Sequence, residues 1–240
     1  MAVQDSIPTS IAELRTQLES STLNKQLQAI KDLAATGETG VALLLDLLRD
    51  RPLESPCSAT DAIVMGTAYQ QIRNAQIDSA MATLTDQFSS GVVPLQSERN
   101  VDYSPIQTAL AEQDFEVADR LTLQKMCELA GPTAIARKWL YFTEVESFPA
   151  TDLLTIDRLW LAHSEGLFGF SVQRELWLGV SKNWDSLWPK IGWRSGNIWT
   201  RYPNEFNWSL SAPRGHLPLS NQLRGVRVMA SLMNHPAWVK

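Results

Sequence analysis

The 240-residue sequence is poor in the side chains that most often build metal and redox sites. It contains two cysteines, Cys57 and Cys127, and three histidines. The cysteines fall in different predicted helical regions without CxxC spacing, which favours two reduced thiols over a disulfide. No histidine lies within ligand spacing of another histidine or of a cysteine, so we expect no metal site.

Long apolar runs and targeting signals are also missing. No stretch approaches the roughly 20 apolar residues that a membrane-spanning helix needs. The first ten residues have neither the apolar region of a secretory signal nor the arginine-rich, acid-poor character of a transit peptide. These features predict a protein of a bacterial-type cytoplasm.

The motifs of common enzyme classes are absent as well. The sequence has no Walker loop, no GxGxxG and no GxSxG motif. Asp157, His163 and Ser164 lie on one predicted helix, which does not give the geometry of a catalytic triad. We therefore predict a protein that is not an enzyme and that uses neither a catalytic cofactor nor a catalytic metal.

What the sequence does contain is helical periodicity along most of its length. Ser10 and Glu13 form a capping box, and apolar side chains then recur at helical spacing between glycine and proline stops. Ser104 is predicted to cap one later helix and Asp114 the next. The pattern predicts an all-α fold.

The breaks in this helical pattern predict three segments. Residues 1–90 are expected to form an N-terminal helical bundle of HEAT-like or armadillo-like hairpins. Residues 91–104, with little periodicity, are expected to be a linker. Residues 105–240 are then a second helical domain.

Charge and aromatic residues are concentrated at the C-terminal end. Residues 180–240 carry eight basic and two acidic side chains, although the whole chain has a net charge of −5. All nine tryptophans lie between Trp139 and Trp238. From Pro189 to Leu219 the helical pattern dissolves, and such long irregular stretches in compact domains are usually functional or disordered. The aromatic content argues against disorder.

This irregular loop and the helix after it suit three different roles. Its aromatic side chains, together with Arg224 and Arg227 at i, i+3 on a helix predicted from about Ser220 to Asn234, match a flat apolar ligand with carboxylates. The same set suits single-stranded nucleic acid, through base stacking and phosphate contacts. It also suits a tryptophan-rich core beneath a basic surface. We expect His216 to be structural.

Several sequence blocks in a fixed order resemble a known family. They cover roughly residues 100–238 and are Gln113–Asp119, Phe148–Trp160, Gly166–Gln173, Gly192–Trp193, Gly215–Pro218 and Asn221–Arg227. Together they resemble the genomes-uncoupled-four family of tetrapyrrole-binding regulators of magnesium chelatase. The acidic N-terminal part resembles the extra domain of cyanobacterial members.

The resemblance implies a helical core with a cupped, porphyrin-binding groove. It implies binding of protoporphyrin IX and Mg-protoporphyrin IX, and stimulation of magnesium chelatase in chlorophyll biosynthesis through the large porphyrin-binding subunit. Combined with the loop composition, it predicts these porphyrin-binding residues: Trp193, Trp199, Tyr202, Phe206, Trp208, Arg224 and Arg227. We expect a cytoplasmic monomer without a nucleic-acid partner, and peripheral membrane association stays open. The alternative function is a single-stranded nucleic-acid-binding module.

Overall fold

The computed structural model describes residues 10–20, 22–51, 57–219 and 226–239, and helices are its main element of secondary structure. Within these ranges there are thirteen α-helices, a two-stranded hairpin and a final 3-10 turn. The described residues divide into two compact units. The first contains the residues up to 51 together with 64–92, and the second contains 57–63 and 93–239.

The first unit is a stack of short amphipathic helices. They are α1 (Ile11–Leu18), α2 (Leu23–Ala35), α3 (Glu38–Asp50), the greater part of α4 (Ala59–Ala75), and α5 (Asp78–Gln87). The predicted capping box is confirmed at the start of α1, where Ser10 Oγ accepts from the Glu13 amide at 3.3 Å and Glu13 Oε2 accepts from the Ser10 amide at 2.8 Å. Helix α1 packs on α2, α2 on α3, and α3 on α5.

The second unit contains the remaining helices and the hairpin. They are α6 (Ser104–Ala111), α7 (Phe115–Ala130), α8 (Pro132–Arg137), α9 (Phe142–Val145), α10 (Ala150–His163), α11 (Phe170–Gly179), α12 (Trp184–Lys190), β1 (Arg194–Ser195), β2 (Ile198–Trp199), α13 (Arg227–Asn234) and the 3-10 turn Pro236–Trp238. The start of the predicted last helix, at residues 220–225, lies outside the described residues.

Helix α10 lies at the centre of the second unit. Trp160 on this helix is fully buried and packs against the rings of Phe115 and Phe168, whose centroids are 6.2 and 6.4 Å away. Its indole N–H donates to Thr122 Oγ1 of α7 at 3.0 Å, so the buried polar edge of the ring is satisfied. Most of this helix is apolar because it packs against neighbours on nearly every side.

The start of α6 differs from the sequence prediction. Asp114 caps α7 as predicted, since its side chain accepts from the Val117 amide. The prediction that Ser104 caps α6 is wrong, because Ser104 is already the first helical residue. The Asp102 carboxylate accepts from the Ser104 amide at 2.9 Å, and hydrogen bonds from Ser104 lower the pKa of Asp102. An acidic side chain two residues earlier thus takes the capping role.

The predicted linker, residues 91–104, has no helix before Ser104, and its later part is bonded to α10. The carboxylate of Asp152, which is completely buried, accepts from the Tyr103 hydroxyl at 2.7 Å and from the Glu98 amide at 3.0 Å. Burial and this carboxylate both raise the pKa of Tyr103. These contacts fix the segment before α6 against the central helix.

Replacing Tyr103 by Phe removes one of these hydrogen bonds and keeps the ring. We expect the free energy of unfolding to fall by about 1.5–3 kcal/mol, the usual contribution of a hydrogen bond to a charged group. Urea unfolding followed by circular dichroism measures the change. Tyr141→Phe is the matched control, because Tyr141 is 49% exposed and should change stability by less than about 0.5 kcal/mol. Equal losses in the two variants would contradict the role given to Asp152.

Candidate functional site

The irregular segment 191–219, here named the aromatic loop, begins with a buried anchor. Trp193 is only 1% exposed, and its indole N–H donates to the carbonyl oxygen of His216 at 2.8 Å. Its main-chain amide donates to the carbonyl of Trp188 at 2.9 Å. The first part of the loop is therefore bound both to α12 and to the part of the loop that returns.

The last residues of the loop, 215–219, are here named the return limb, and buried side chains hold them. The amide group of Gln173 on α11 donates to the carbonyls of Gly215 at 3.0 Å and Pro218 at 2.8 Å. The main-chain amide of Leu219 donates to Asp119 Oδ1 of α7 at 2.6 Å. The return limb is thus tied to two helices.

His216 is the structural residue that we predicted. Its Nε2 accepts from the Asn207 amide at 3.2 Å, so the proton of a neutral ring lies on Nδ1, which donates to the Ile191 carbonyl at 2.6 Å. Burial lowers the pKa of His216 and favours this neutral form. Both ring nitrogens are occupied by the loop itself, which leaves neither to bind a metal.

A ladder of tryptophan rings supports the first part of the loop. The rings of Trp177, Trp184, Trp188 and Trp193 stack in this order, with successive centroids 4.9, 5.2 and 5.7 Å apart. The ring of Trp199 lies 5.6 Å from that of Trp188 and is 43% exposed. The buried rings therefore fix the orientation of one indole that reaches the surface.

The hairpin of β1 and β2 presents this exposed ring. Arg194 is opposite Trp199 in the antiparallel register, and its guanidinium lies 5.6 Å from the Trp199 ring centroid. Asp185 accepts from the same guanidinium at 2.8 Å, which partly neutralises its charge. Ile198, next to Trp199, is 71% exposed. The end of the hairpin is an apolar surface with a basic edge.

A second aromatic cluster follows the hairpin. The rings of Tyr202, Phe206 and Trp208 lie within 5.8–6.3 Å of one another, and Phe206 also packs on His216. Phe206 is buried, whereas Tyr202 is 48% exposed. The indole N–H of Trp208 donates to the Pro203 carbonyl at 3.0 Å. Tyr202 is therefore the outward-facing member of this cluster.

Tyr202 lies close to the charged first turns of α7. Burial raises the pKa of its hydroxyl, the carboxylates of Asp119 and Glu116 raise it further, and Arg120 lowers it. Burial also raises the pKa of Asp119 to about 7. The charge of a buried carboxyl group on α7 thus acts on the hydroxyl of the outer aromatic side chain.

Arg227 lies at the start of α13 and faces α9. Its guanidinium carbon is 5.5 Å from the ring centroid of Phe142. An open groove at this place is lined by Phe142, Glu146, Arg227, Ala230, Ser231, Asn234, His235 and Pro236. Burial lowers the pKa of His235, whose Nδ1 accepts from the Ala237 amide. An arginine beside an aromatic ring in a groove can hold the carboxylate of a flat ligand.

The structure thus divides the predicted site residues into groups. Trp193 supports Trp199 through Trp188, Tyr202 forms a cluster with Phe206 and Trp208, and Arg227 lies with Phe142. Arg224 lies outside the described residues. Sequence reasoning did not assign Phe142 to the site, although it ends an aromatic-rich run that begins at residue 137.

In the described part of the chain, no group of three or more histidine, cysteine or acidic side chains is placed to hold a metal ion. None of the helices described is both long enough and apolar enough to cross a membrane.

The fold and the loop define an all-helical protein with an irregular, aromatic-rich surface segment. Comparison of its sequence with known protein families identifies its family. The profile of the family described as GUN4-like matches residues 96–236, and a profile described as an ARM-like repeat domain at the GUN4 N-terminus matches residues 2–89. The chain belongs to the GUN4 family, the genomes-uncoupled-four family that the sequence blocks resemble.

Relatives and solved structures agree with this assignment. A Ycf53-like protein of Synechocystis sp. is 54% identical over 230 residues, which is 95% of this chain and 97% of the relative. The chloroplastic tetrapyrrole-binding protein of Arabidopsis thaliana is 35% identical over 57% of this chain and 55% of its own length. The structure of GUN4 from Chlamydomonas reinhardtii, 40% identical, covers 61% of this chain and 96% of its own with a TM-score of 0.57.

These likenesses also confirm the predicted fold class. The all-α fold, with an armadillo-like N-terminal part and a helical C-terminal core, is the architecture found.

The division between buried and exposed tryptophans predicts two different effects on stability. Trp193→Ala removes a fully packed ring and its hydrogen bond, so we expect a loss of about 3–5 kcal/mol in the free energy of unfolding. Trp199→Ala truncates a half-exposed ring and should cost about 1 kcal/mol. Thermal and urea unfolding of the two variants measure the difference. A Trp193→Ala variant as stable as Trp199→Ala would contradict the anchoring role of Trp193.

Proposed function

We propose that this chain binds protoporphyrin IX and Mg-protoporphyrin IX through the aromatic loop and the groove beside Arg227. One observation carries the proposal. Two exposed aromatic faces, Trp199 and Tyr202, are held in place by buried rings in a chain whose Arabidopsis relative is named a tetrapyrrole-binding protein.

Stacking on pre-positioned rings accounts for recognition of the macrocycle. A porphyrin is flat and apolar over most of its surface, and each aromatic pair contributes about 0.5–1.5 kcal/mol beyond the burial of area. Because Trp188 and Phe206 already fix Trp199 and Tyr202, little side-chain freedom is lost on binding. In this proposal Trp193 and Trp208 belong to the site as supports of the exposed rings.

Arginine accounts for recognition of the two porphyrin carboxylates. A guanidinium binds a carboxylate by a planar, two-pronged, charge-assisted contact. Arg227 is exposed beside the Phe142 ring, and Arg224 is the second arginine that we propose for this task. The excess of basic side chains in residues 180–240 favours an anionic ligand in the same region. Neither contact requires an axial ligand to the porphyrin metal.

The biological role that we propose is regulation rather than turnover. The chain would keep a poorly soluble, photoreactive porphyrin in a protected form and present it to the large porphyrin-binding subunit of magnesium chelatase. This stimulates the step that commits porphyrin to chlorophyll. We propose that it acts as a cytoplasmic monomer in this task. Membership of the GUN4 family supports the role.

Porphyrin binding is tested by titrating the purified chain with a water-soluble protoporphyrin analogue. We expect saturable quenching of tryptophan fluorescence and a shifted porphyrin absorption band at about one ligand per chain. Arg227→Ala should weaken binding by about tenfold, since the loss of one charge-assisted contact costs about 1.5 kcal/mol. Arg224→Ala should have an effect of the same order.

Arg49→Ala is the matched control for these variants. Arg49 is a partly exposed arginine of the first unit, paired with Asp46 at 3.1 Å, and its removal changes the net charge by the same amount. Its affinity should equal that of the unchanged chain. Unaltered binding in both Arg224→Ala and Arg227→Ala would refute the carboxylate contacts, and a titration without saturation would refute porphyrin binding.

The regulatory role is tested by reconstituting magnesium chelatase with ATP, Mg²⁺ and limiting porphyrin. Adding the chain should raise the rate of Mg-porphyrin formation severalfold, and Arg227→Ala should stimulate less at the same concentration. The chain without chelatase subunits should produce no Mg-porphyrin. Metal insertion by the chain alone would show that it is an enzyme, and an unchanged chelatase rate would refute the regulatory role.

A further inference from the structure

The carboxyl group of Asp119 is buried at the place where the aromatic loop returns to the helices. Asp119 lies on α7 and is 5% exposed, and its Oδ1 accepts a hydrogen bond from the Leu219 amide at 2.6 Å. This hydrogen bond spans 100 positions of the sequence. It ties the end of the return limb to α7, and the ligand contacts proposed above do not use it.

The surroundings of Asp119 differ from those of the other buried aspartate with a raised pKa. Asp157 on α10 is also fully buried, but its carboxylate has Arg158 Nη1 at 2.8 Å as well as the Ser171 amide at 2.8 Å. In the described part of the chain, Asp119 has one main-chain donor and no cation within ion-pairing distance. An ionised carboxylate is costly in such a place.

The charged and titratable groups around Asp119 come from two elements. Glu116, one turn earlier on α7, adds a repulsive negative charge. From the aromatic loop comes the hydroxyl of Tyr202, whose own environment includes Asp119, Glu116 and Arg120. Asp119 therefore lies where protonation changes both the tie to Leu219 and the charge beside the outer aromatic ring.

We propose that Asp119 is a positioning residue whose protonated form holds the return limb and Tyr202 against α7 and so favours porphyrin binding by the loop. The inference rests on the proposed porphyrin function and adds that pH regulates binding at the same site.

The direction of the effect follows from proton linkage. Burial raises the pKa of Asp119 to about 7 even though the hydrogen bond from the Leu219 amide favours the ionised form, whereas a solvent-exposed aspartate ionises near pH 4. The closed arrangement is thus fully favoured at low pH and loses stability as the pH rises through 7, because ionisation favours states that expose the carboxylate to water. A negative charge beside Tyr202 also repels an anionic ligand, so both effects weaken binding at high pH.

The experiment measures the dissociation constant of the soluble porphyrin analogue at pH 6 and pH 8. For a single linked proton with a pKa of about 7, affinity should fall by up to about tenfold over this range. Asp119→Asn keeps an oxygen that can accept from Leu219 and cannot ionise. It should bind at pH 8 about as tightly as at pH 6.

Glu116→Gln is the matched control, since it removes a neighbouring exposed carboxylate from the same helix. It should keep a pH dependence, with the midpoint lowered because the charge of Glu116 no longer raises the pKa of Asp119. The same slope in Asp119→Asn and in the unchanged chain would overturn the proposal. The slope also separates this role from a merely structural one, which would lower affinity equally at both pH values.

A second readout needs no ligand and no variant. Hydrogen exchange of residues 215–219 in the unchanged chain, corrected for the intrinsic pH dependence of exchange, should show protection that falls with a midpoint near pH 7. Protection independent of pH would overturn the role of Asp119 even if porphyrin binds. If the chain does not bind porphyrin but its hydrogen-exchange protection still falls near pH 7, the proposed function is refuted. The pH-dependent contact between Asp119 and Leu219 then stands by itself.

Discussion

The arrangement of the aromatic loop depends on how its buried main-chain polar groups find hydrogen-bond partners. A buried peptide group without a partner costs as much as a lost hydrogen bond, and only a short hairpin provides regular pairing here. Side chains of neighbouring helices and of the loop itself provide the other hydrogen-bond partners. Gln173 donates to two carbonyls, His216 hydrogen-bonds two other parts of the loop, and Asp119 accepts a hydrogen bond from the Leu219 amide. These buried polar side chains provide hydrogen-bond partners that a neighbouring strand would otherwise supply.

This constraint sorts the aromatic rings into two layers. Trp193 and Phe206 are held beneath the surface, where they complete the contacts that fix the backbone. Trp199 and Tyr202 pack against buried rings and are 43% and 48% exposed. A ligand that stacks on the outer rings meets surfaces whose orientation is already set, which lowers the entropic cost of binding.

Local features of the chain were predictable wherever the partners are close in sequence. The capping box at Ser10 and the cap at Asp114 follow from side chains that reach amides three residues away. The prediction for Ser104 was wrong because a second acceptor, Asp102, lies two residues before the helix and takes the cap. The pairing of Asp119 with Leu219 joins residues 100 positions apart and has no local signal.

The all-α class and the concentration of aromatic and basic residues at the C-terminal end can be read from the sequence alone, because periodicity, capping and composition are local or summed properties. The family, and with it a porphyrin-like ligand as the candidate to test, followed from the resemblance of ordered sequence blocks. Folding was needed to show which rings are supports and which are exposed, that Arg227 lies beside Phe142, and that a buried carboxyl group binds the return limb. The reason is that burial and ion pairing depend on partners that folding brings from distant parts of the chain.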